Sequence, residues 1–369
     1  MSVLLGVELA GAEVRLVIVD RKATVLSQRE EPLATPVLRW WETHPEERFR
    51  AVLGLISQAI RDGGFRPPDV AGIGITSEPA LVLLDPDLAA VPPRDLPWAE
   101  HDPEKFLGNP WGALASLYGE SPRELARIGS VLDLNAFIRF RLTGALASHV
   151  DFAWSGGHVL SVAKPTNWDF GALDNIGLLH SQLPPIFAAP QKVSVVGEEA
   201  IQQTGLRRGT WVAAGGDPLN TRLLFAAQPL PGTQIVHRSD QGVEGWEVVG
   251  APKEWSEDYR PSALEGVYFR RMSTEDRAQA ESQETTVFDW DRGVEPATEA
   301  WPESRLIAAD AGLASSGTAI LAGLGLGWWR DPRPIWRKRR PPQPLADRRA
   351  AEAAAIQHDS GEEMRSSDG

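Results

Sequence analysis

The sequence predicts an α/β fold, and three observations carry that prediction. Short runs rich in apolar and β-branched residues, Val3 to Val7 and Val14 to Val19, are separated by the tight turn Ala10-Gly11-Ala12. From Pro45 to Arg61 the apolar positions Phe49, Val52, Leu53, Ile56 and Ile60 recur at helical spacing, and Gly63-Gly64 closes the segment. The chain then returns to strand pattern at Val70 to Ile75 and at Leu81 to Leu84.

With a third strand at Thr24 to Glu31, after the turn Asp20-Arg21-Lys22, the order is β-β-β-α-β. That order points to an actin-like, ribonuclease-H-like layer, in which an antiparallel meander enters a mixed sheet covered by helices. Ser121-Pro122-Arg123-Glu124 reads as a capping box with Pro at the first helical position, opening a helical region that ends near Thr143-Gly144. A further helix is expected over Glu198 to Gly205, and a strand over Trp211 to Ala214.

After about Val249 the composition changes. Residues 252–303 are crowded with charge, Ser, Thr and Gln, so mostly irregular chain is expected there. An apolar, small-residue segment, Leu306 to Leu326, reads as a packed helix, and from Arg330 onward Pro, Arg and Lys give way to an acidic end, read as a solvated tail. The expected division is therefore 1–249, 250–305, 306–329 and 330–369.

Composition bounds the function. A chain of 369 residues has the length of about two domains. With 37 basic against 50 acidic residues, a net charge of −13 speaks against general nucleic-acid or anionic-membrane binding. The absence of Cys excludes cysteine nucleophiles and cysteine metal sites, and no apolar run reaches the roughly 20 residues of a membrane helix. Glu8 interrupts the first apolar run, so no secretory signal is read and a cytoplasmic protein is expected. The seven histidines show no ligand spacing, and Ser155-Gly156-Gly157 lacks the Gly-x-Ser-x-Gly pattern of a hydrolase elbow.

One stretch gathers chemistry. Trp211 to Ala214 leads into Gly215-Gly216, then Asp217, then a Leu-rich segment able to start a helix. Glycine lets a substrate or phosphate approach the backbone, and an acid at such a turn can act on it. A tight turn with a helix-capping Asp explains the same residues.

Seven landmarks in order resemble the FGGY family of carbohydrate kinases, xylulokinase-like members above all. They are Leu5 to Gly11, Trp40 to Glu46, Ile73 to Thr76 with Leu81 to Asp85, Leu96 to Trp98, Phe140 to Gly144 with Ala147-Ser148, Asn167 to Asp169, and Ala214 to Asp217. The resemblance implies two actin-like domains with sugar and ATP between them, and a carboxylate that takes the proton of the attacking hydroxyl. Asp217 matches that base. Glu8 and Asp217 would meet Mg²⁺, while Glu8, Gly11, Arg15, Gly215, Gly216, Ser239 and Gly242 match the nucleotide side. Trp40, Glu78, Trp98, Glu100 and Asn220 match the sugar side, with a small sugar or polyol as partner; self-association into a homo-oligomer stays open. Trp40 and Trp41 fit equally well as a staple of the first helix.

The chain departs from the family at several places. The first phosphate turn has Ala10 and Ala12 where glycine and a hydroxyl are expected. Ser77-Glu78-Pro79-Ala80 replaces the family's Gly-Gln-Met-His-Gly, and Glu100-His101-Asp102 replaces Asp-x-Arg. Pro218 stands where Asn follows the base, and only 311–328 resembles part of the second domain. These departures imply a truncated C-terminal domain and support two readings, a sugar kinase of weak activity or an inactive homologue that binds a sugar or protein as a regulator.

Overall fold

The computed structural model describes residues 1–34, 44–77, 80–91, 110–151, 160–161, 164–226, 232, 234–239, 242–252, 259–262, 267–276, 286–289, 306–308 and 313–329. The chain forms two compact units. The first comprises Met1–Gln228, Arg260–Gly266 and Gly312–Trp336; the second comprises Pro229–Tyr259, Val267–Ala311 and Arg337–Gly369.

In the first unit the strands are β1 (Val3–Leu9), β2 (Glu13–Asp20), β3 (Val25–Pro32), β4 (Val70–Ser77), β5 (Leu81–Leu84), β6 (Ser130–Asp133), β7 (Ser148–His149), β8 (Leu160–Ser161), β9 (Lys164–Trp168), β10 (Ile186–Phe187), β11 (Lys192–Val195) and β12 (Trp211–Ala213). The main sheet runs in the order β11-β12-β4-β1-β2-β3. The antiparallel meander β1-β2-β3 is the expected one, and β4 lies between β1 and β12, parallel to both. Every residue of β1 is buried, which is why it reads as continuous apolar chain rather than as an alternation. Leu5 and Val7 join Phe49, Val52 and Ile56 of the helix Pro45–Asp62 on one face, while Leu4 joins Val17, Val19 and Ile320 on the other.

The second face is covered by the helix Leu313–Gly325, whose approach the glycines of the sheet make possible. A Cβ on Gly6 would lie 1.8 Å from the Ser315 carbonyl oxygen, and one on Gly74 1.9 Å from that of Thr318. The same helix meets the helix Pro218–Ala226, where a Cβ on Gly317 would fall 1.7 Å from the Thr221 carbonyl oxygen. Backbone-on-backbone contact of this kind has no room for any side chain.

The structure differs from the sequence reading in four places. Ser121 makes no side-chain cap; its carbonyl instead receives the Glu124 N–H at 2.9 Å, and the helix Pro122–Leu125 is a single turn. The expected continuous helix is broken by β6, which pairs antiparallel with β5, before a second helix, Leu134–Thr143, starts on Asp133 and ends on the left-handed Gly144. The segment Leu306 to Leu326 is divided into a strand, Leu306–Ala308, and the helix Leu313–Gly325, and that helix groups with the first unit.

Within the polar stretch read as irregular the structure has strands β15 (Tyr259–Pro261), β16 (Tyr268–Arg271) and β17 (Thr286–Asp289). They follow β13 (Gln234–Ser239) and β14 (Gly242–Val249) and precede β18 (Leu306–Ala308). The strands lying wholly in the second unit run in the order β16-β14-β13-β17-β18, with β13, β17 and β18 parallel. Strand pairing is satisfied by backbone groups, so these segments need little apolar periodicity to be strands. The tail from residue 330 lies outside the described residues.

Gly74→Ala is expected to lower stability by about 1–3 kcal/mol, the cost of overpacking a close contact. Gly119→Ala is the control: a Cβ there meets nothing within 4 Å, and the change is expected to be neutral or to stabilise by up to about 1 kcal/mol. Urea midpoints at constant m-value report both.

Candidate active site

The carboxyl ends of three parallel strands bring the central residues together. Glu8 of β1 is in register with Thr76 of β4, and Thr76 bridges Gly216, just past the end of β12. At roughly 4.8 Å per strand, the Glu8 and Gly216 backbones are about 10 Å apart. Asp217 follows Gly216 and caps the helix Pro218–Ala226, its Oδ1 accepting the Asn220 N–H at 2.8 Å. Open α/β sheets bind their ligands at this edge.

The turn itself is fixed from below. Gly215 has φ 75°, and a Cβ there would lie 2.1 Å from the Ile75 carbonyl oxygen, so the position requires glycine. Thr76 donates its hydroxyl to the Gly216 carbonyl at 2.7 Å, and Asn135 donates to the Ile75 carbonyl at 3.0 Å. Arg139, fully buried, donates to the Asn135 Oδ1 at 3.1 Å, to the Ala147 carbonyl at 2.7 Å and to the Ala214 carbonyl. Burial lowers its guanidinium to about 10, against the raising effect of Asp133, and it stays charged at neutral pH.

Asp151, two residues past β7, stands behind the base. Its Oδ2 accepts the Asp217 N–H at 2.9 Å, and its Oδ1 accepts from the Asn220 side-chain amide. Burial pushes the Asp151 carboxyl above its ordinary range, opposed by the charges of Arg260 and His149 and by the Asn220 hydrogen bond. Arg260 forms an ion pair with Asp217 Oδ2 and lies 3.8 Å from Asp151 Oδ1. Beneath them His149 and Asp133 make a buried pair at 2.7 Å. Burial opposes the Asp133 charge, but His149, the Ala136 N–H and Arg139 outweigh it and hold the carboxyl below its ordinary 3.8.

Glu8 is 2% exposed and pairs through Oε1 with Arg15 at 3.5 Å and with Arg222 at 3.3 Å. Its Oε2 is buried without a hydrogen-bond partner among the described residues. Arg15 is also paired with Glu13. Gly11 sits on the exposed β1-β2 turn, where Arg48 donates to the Ala10 carbonyl at 2.7 Å and to the Gly11 carbonyl at 2.9 Å. Burial lowers the Arg48 guanidinium to about 10, with Glu47 opposing. In the second unit Ser239 and Gly242 face one another at the end of the β13-β14 ladder.

Of the sequence candidates, the sheet edge thus gathers Glu8, Arg15, Gly215, Gly216, Asp217 and Asn220. Asn220 is 1% exposed and its amide is engaged by Asp151, an orientation the sequence does not indicate. Trp40, Trp41, Glu78, Trp98 and Glu100 lie outside the described residues. Sequence reasoning missed Asp151, Arg139, Arg222 and Arg260. Asp151 follows the Ala147-Ser148 landmark closely enough to have been found with it, whereas nothing in the sequence around Arg260 marks it. Among the described residues no group of three or more His, Cys, Asp or Glu is arranged to hold a metal ion, and no helix is long and apolar enough to cross a membrane.

No protein-family model matches the chain. Over 241 residues it is 26% identical to the "Probable L-xylulose kinase" of Pasteurella multocida (strain Pm70), an alignment covering 58% of this chain and 50% of that one. It is 25% identical over 213 residues to the glycerol kinase of Agrobacterium fabrum (strain C58), covering 50% of this chain and 42% of that protein. These similarities are to sugar and glycerol kinases, the kind of protein to which the FGGY resemblance points. The chain spans about half the length of the curated relatives it matches. Its fold is also that of FGGY kinases: the ligand-bound xylulose kinase from Lactobacillus acidophilus superposes with a TM-score of 0.70 at 12% identity, over 91% of this chain and 92% of that one. The Plasmodium falciparum glycerol kinase crystallised with ADP gives 0.67 at 12% identity, over 98% of each chain. The actin-like, ribonuclease-H-like α/β class expected from the FGGY resemblance is therefore the observed one.

The Asp133 pair gives a pH prediction. Because the folded state holds this carboxyl below 3.8, the unfolded chain binds the extra proton as pH falls, and stability rises with pH across that window. The contribution is complete above about pH 5 and is lost on acidification through the folded value. Urea unfolding between pH 3 and 6 should show a shallower acid limb in Asp133→Asn than in the natural chain. Near pH 7 the variant should be less stable by about 3 kcal/mol, the cost of breaking a buried pair.

Proposed function

We propose that the chain is a cytoplasmic carbohydrate kinase that transfers the γ-phosphoryl group of ATP to a hydroxyl of a ketose or polyol, xylulose-like in size. The observation that carries this reading is the row Glu8, Thr76, Gly216 across the carboxyl ends of β1, β4 and β12, with Asp217 next in the chain. Phosphoryl transfer needs an oriented hydroxyl, a base to take its proton and neutralised phosphate charge, and little covalent help.

In this reading the substrate oxygen attacks the γ-phosphorus and its proton passes to Asp217. Oδ1 is held by the Asn220 N–H, so Oδ2 is the atom that receives it. Gly215 and Gly216 bare the backbone beside the transferred group, and Gly11 with Arg15 serves the triphosphate on the β1-β2 side. Glu8, whose buried Oε2 has a lone pair to offer, and Asp217 are the residues that would hold Mg²⁺, which when bound neutralises phosphate charge.

One observation favours the second reading, a homologue that binds without turnover: Arg260 is paired with Oδ2, the oxygen the base needs. A coupled ATP-consumption assay over pentuloses, hexuloses and polyols decides between them. Turnover is expected with at least one substrate, and Asp217→Asn should lower kcat by about 10²–10⁴-fold, the usual contribution of a general base. No turnover across the panel at high enzyme and Mg²⁺ contradicts the kinase reading.

A further inference from the structure

Both oxygens of Asp217 are committed, Oδ1 to the Asn220 N–H and Oδ2 to the Arg260 guanidinium. Arg260 is only 8% exposed and also stands 3.8 Å from Asp151, so one cation serves two buried carboxylates. A hydroxyl that gives its proton to Oδ2 lies within about 3 Å of it, and the phosphorus that this hydroxyl attacks lies about 3–3.5 Å further on. The transferred phosphoryl group therefore comes within about 6–7 Å of the oxygen on which Arg260 rests. A long arginine side chain covers such a gap by turning about its own torsions. The first phosphate turn leaves charge there to be neutralised. Ala10 gives its N–H to the Glu13 carbonyl at 3.0 Å, and neither Ala10 nor Ala12 carries a hydroxyl.

From this arrangement, and resting on the kinase reading above, we infer that Arg260 is a further catalytic residue: its guanidinium leaves Asp217 for the γ-phosphoryl group of ATP and frees Oδ2 to act as the base. A phosphoryl group carries more charge than a carboxylate and offers the planar guanidinium two parallel acceptors, so the exchange is favourable. In the transfer, the hydroxyl oxygen bonds to the γ-phosphorus, the bond from that phosphorus to the β–γ bridging oxygen breaks, and its electron pair leaves with ADP. The hydroxyl proton passes to Oδ2, while Arg260 keeps its protons and meets the charge on the phosphoryl oxygens. ADP lacks the γ-phosphoryl group and leaves the Asp217–Arg260 pair intact. Asp151 keeps the turn in place throughout, since its bonds to the Asp217 N–H and the Asn220 amide do not involve Arg260. The pair that covers the base is thus its nucleotide-free state.

The full chain is titrated calorimetrically with Mg-ATP and with Mg-ADP, and then assayed on the panel of sugars and polyols. The natural chain should bind Mg-ATP at least about tenfold tighter than Mg-ADP. Arg260→Gln should remove that difference by weakening ATP and leaving ADP as it was. It should also lower kcat by about 10²–10³-fold, the usual cost of losing one donor to developing charge, with little change in the KM of the sugar. Arg260→Lys, a cation without the planar fork, should retain part of both. Binding of ATP no tighter than ADP in the natural chain, a preference unchanged in Arg260→Gln, ATP and ADP weakened together, or a kcat unchanged or raised overturns the inference. If Arg260→Gln does not fold, the natural chain and Arg260→Lys decide, and a Lys variant with the full natural preference overturns it. An ATP preference that depends on Arg260 without turnover of any sugar contradicts the kinase reading alone; turnover with a kcat untouched by Arg260→Gln contradicts the present inference alone.

Discussion

The buried guanidinium of Arg139 is the interaction on which the site depends. It joins three pieces of chain: the end of the strand leading to the Gly-Gly turn, distant in sequence, through the Ala214 carbonyl; the approach to Asp151, through the Ala147 carbonyl; and its own helix, through Asn135. Removing it would leave three buried acceptors unsatisfied, each at a cost of about 1–3 kcal/mol. Its own charge is held by proximity to Asp133, which caps the same helix and pairs with His149. The carboxylates and cations therefore form one connected network, in which each member is either partnered or expensive.

On the opposite face, contact between the sheet and the helix Leu313–Gly325 does for the backbone what Arg139 does for the turn. The helix rests on Gly6 of β1 and Gly74 of β4, the same two strands that carry Glu8 and Thr76 to the edge. It also touches Thr221, one turn beyond Asp217. The site is built on rigid elements buried on both sides, the arrangement that holds catalytic geometry most closely. The exception is Arg260, reached from a polar part of the sequence and attached to the site by its side chain.

Much of the fold was legible because its signals are local. Val3 to Val7, Val14 to Val19 and the Phe49-Val52-Ile56 stripe are periodic, and the order of elements does the rest. The strands Tyr268–Arg271 and Thr286–Asp289 were not legible, since pairing through the backbone leaves no periodicity in the side chains. The Ser121 box misled because its four residues match a helix start that tertiary context turns into a single turn before β6. At the site, Gly215, Gly216 and Asp217 stood out because a positive φ and a capping acid have sequence signatures. Arg260 and Arg139 did not, because neither the buried ion pair of the first nor the buried hydrogen bonds of the second to backbone carbonyls leave a local trace in the sequence. The small-residue run after Ala311 was readable as a packed helix but not as the partner of Gly6 and Gly74.

We propose that the strand edge carrying Glu8 and Asp217 is a nucleotide-using site. Calorimetric titration of the natural chain and of Glu8→Gln with Mg-ATP tests it most directly. Saturable micromolar binding to the natural chain is expected, weakened at least about tenfold by the substitution, the loss of one charged contact. The absence of saturable binding into the millimolar range, or equal binding by the variant, would contradict it.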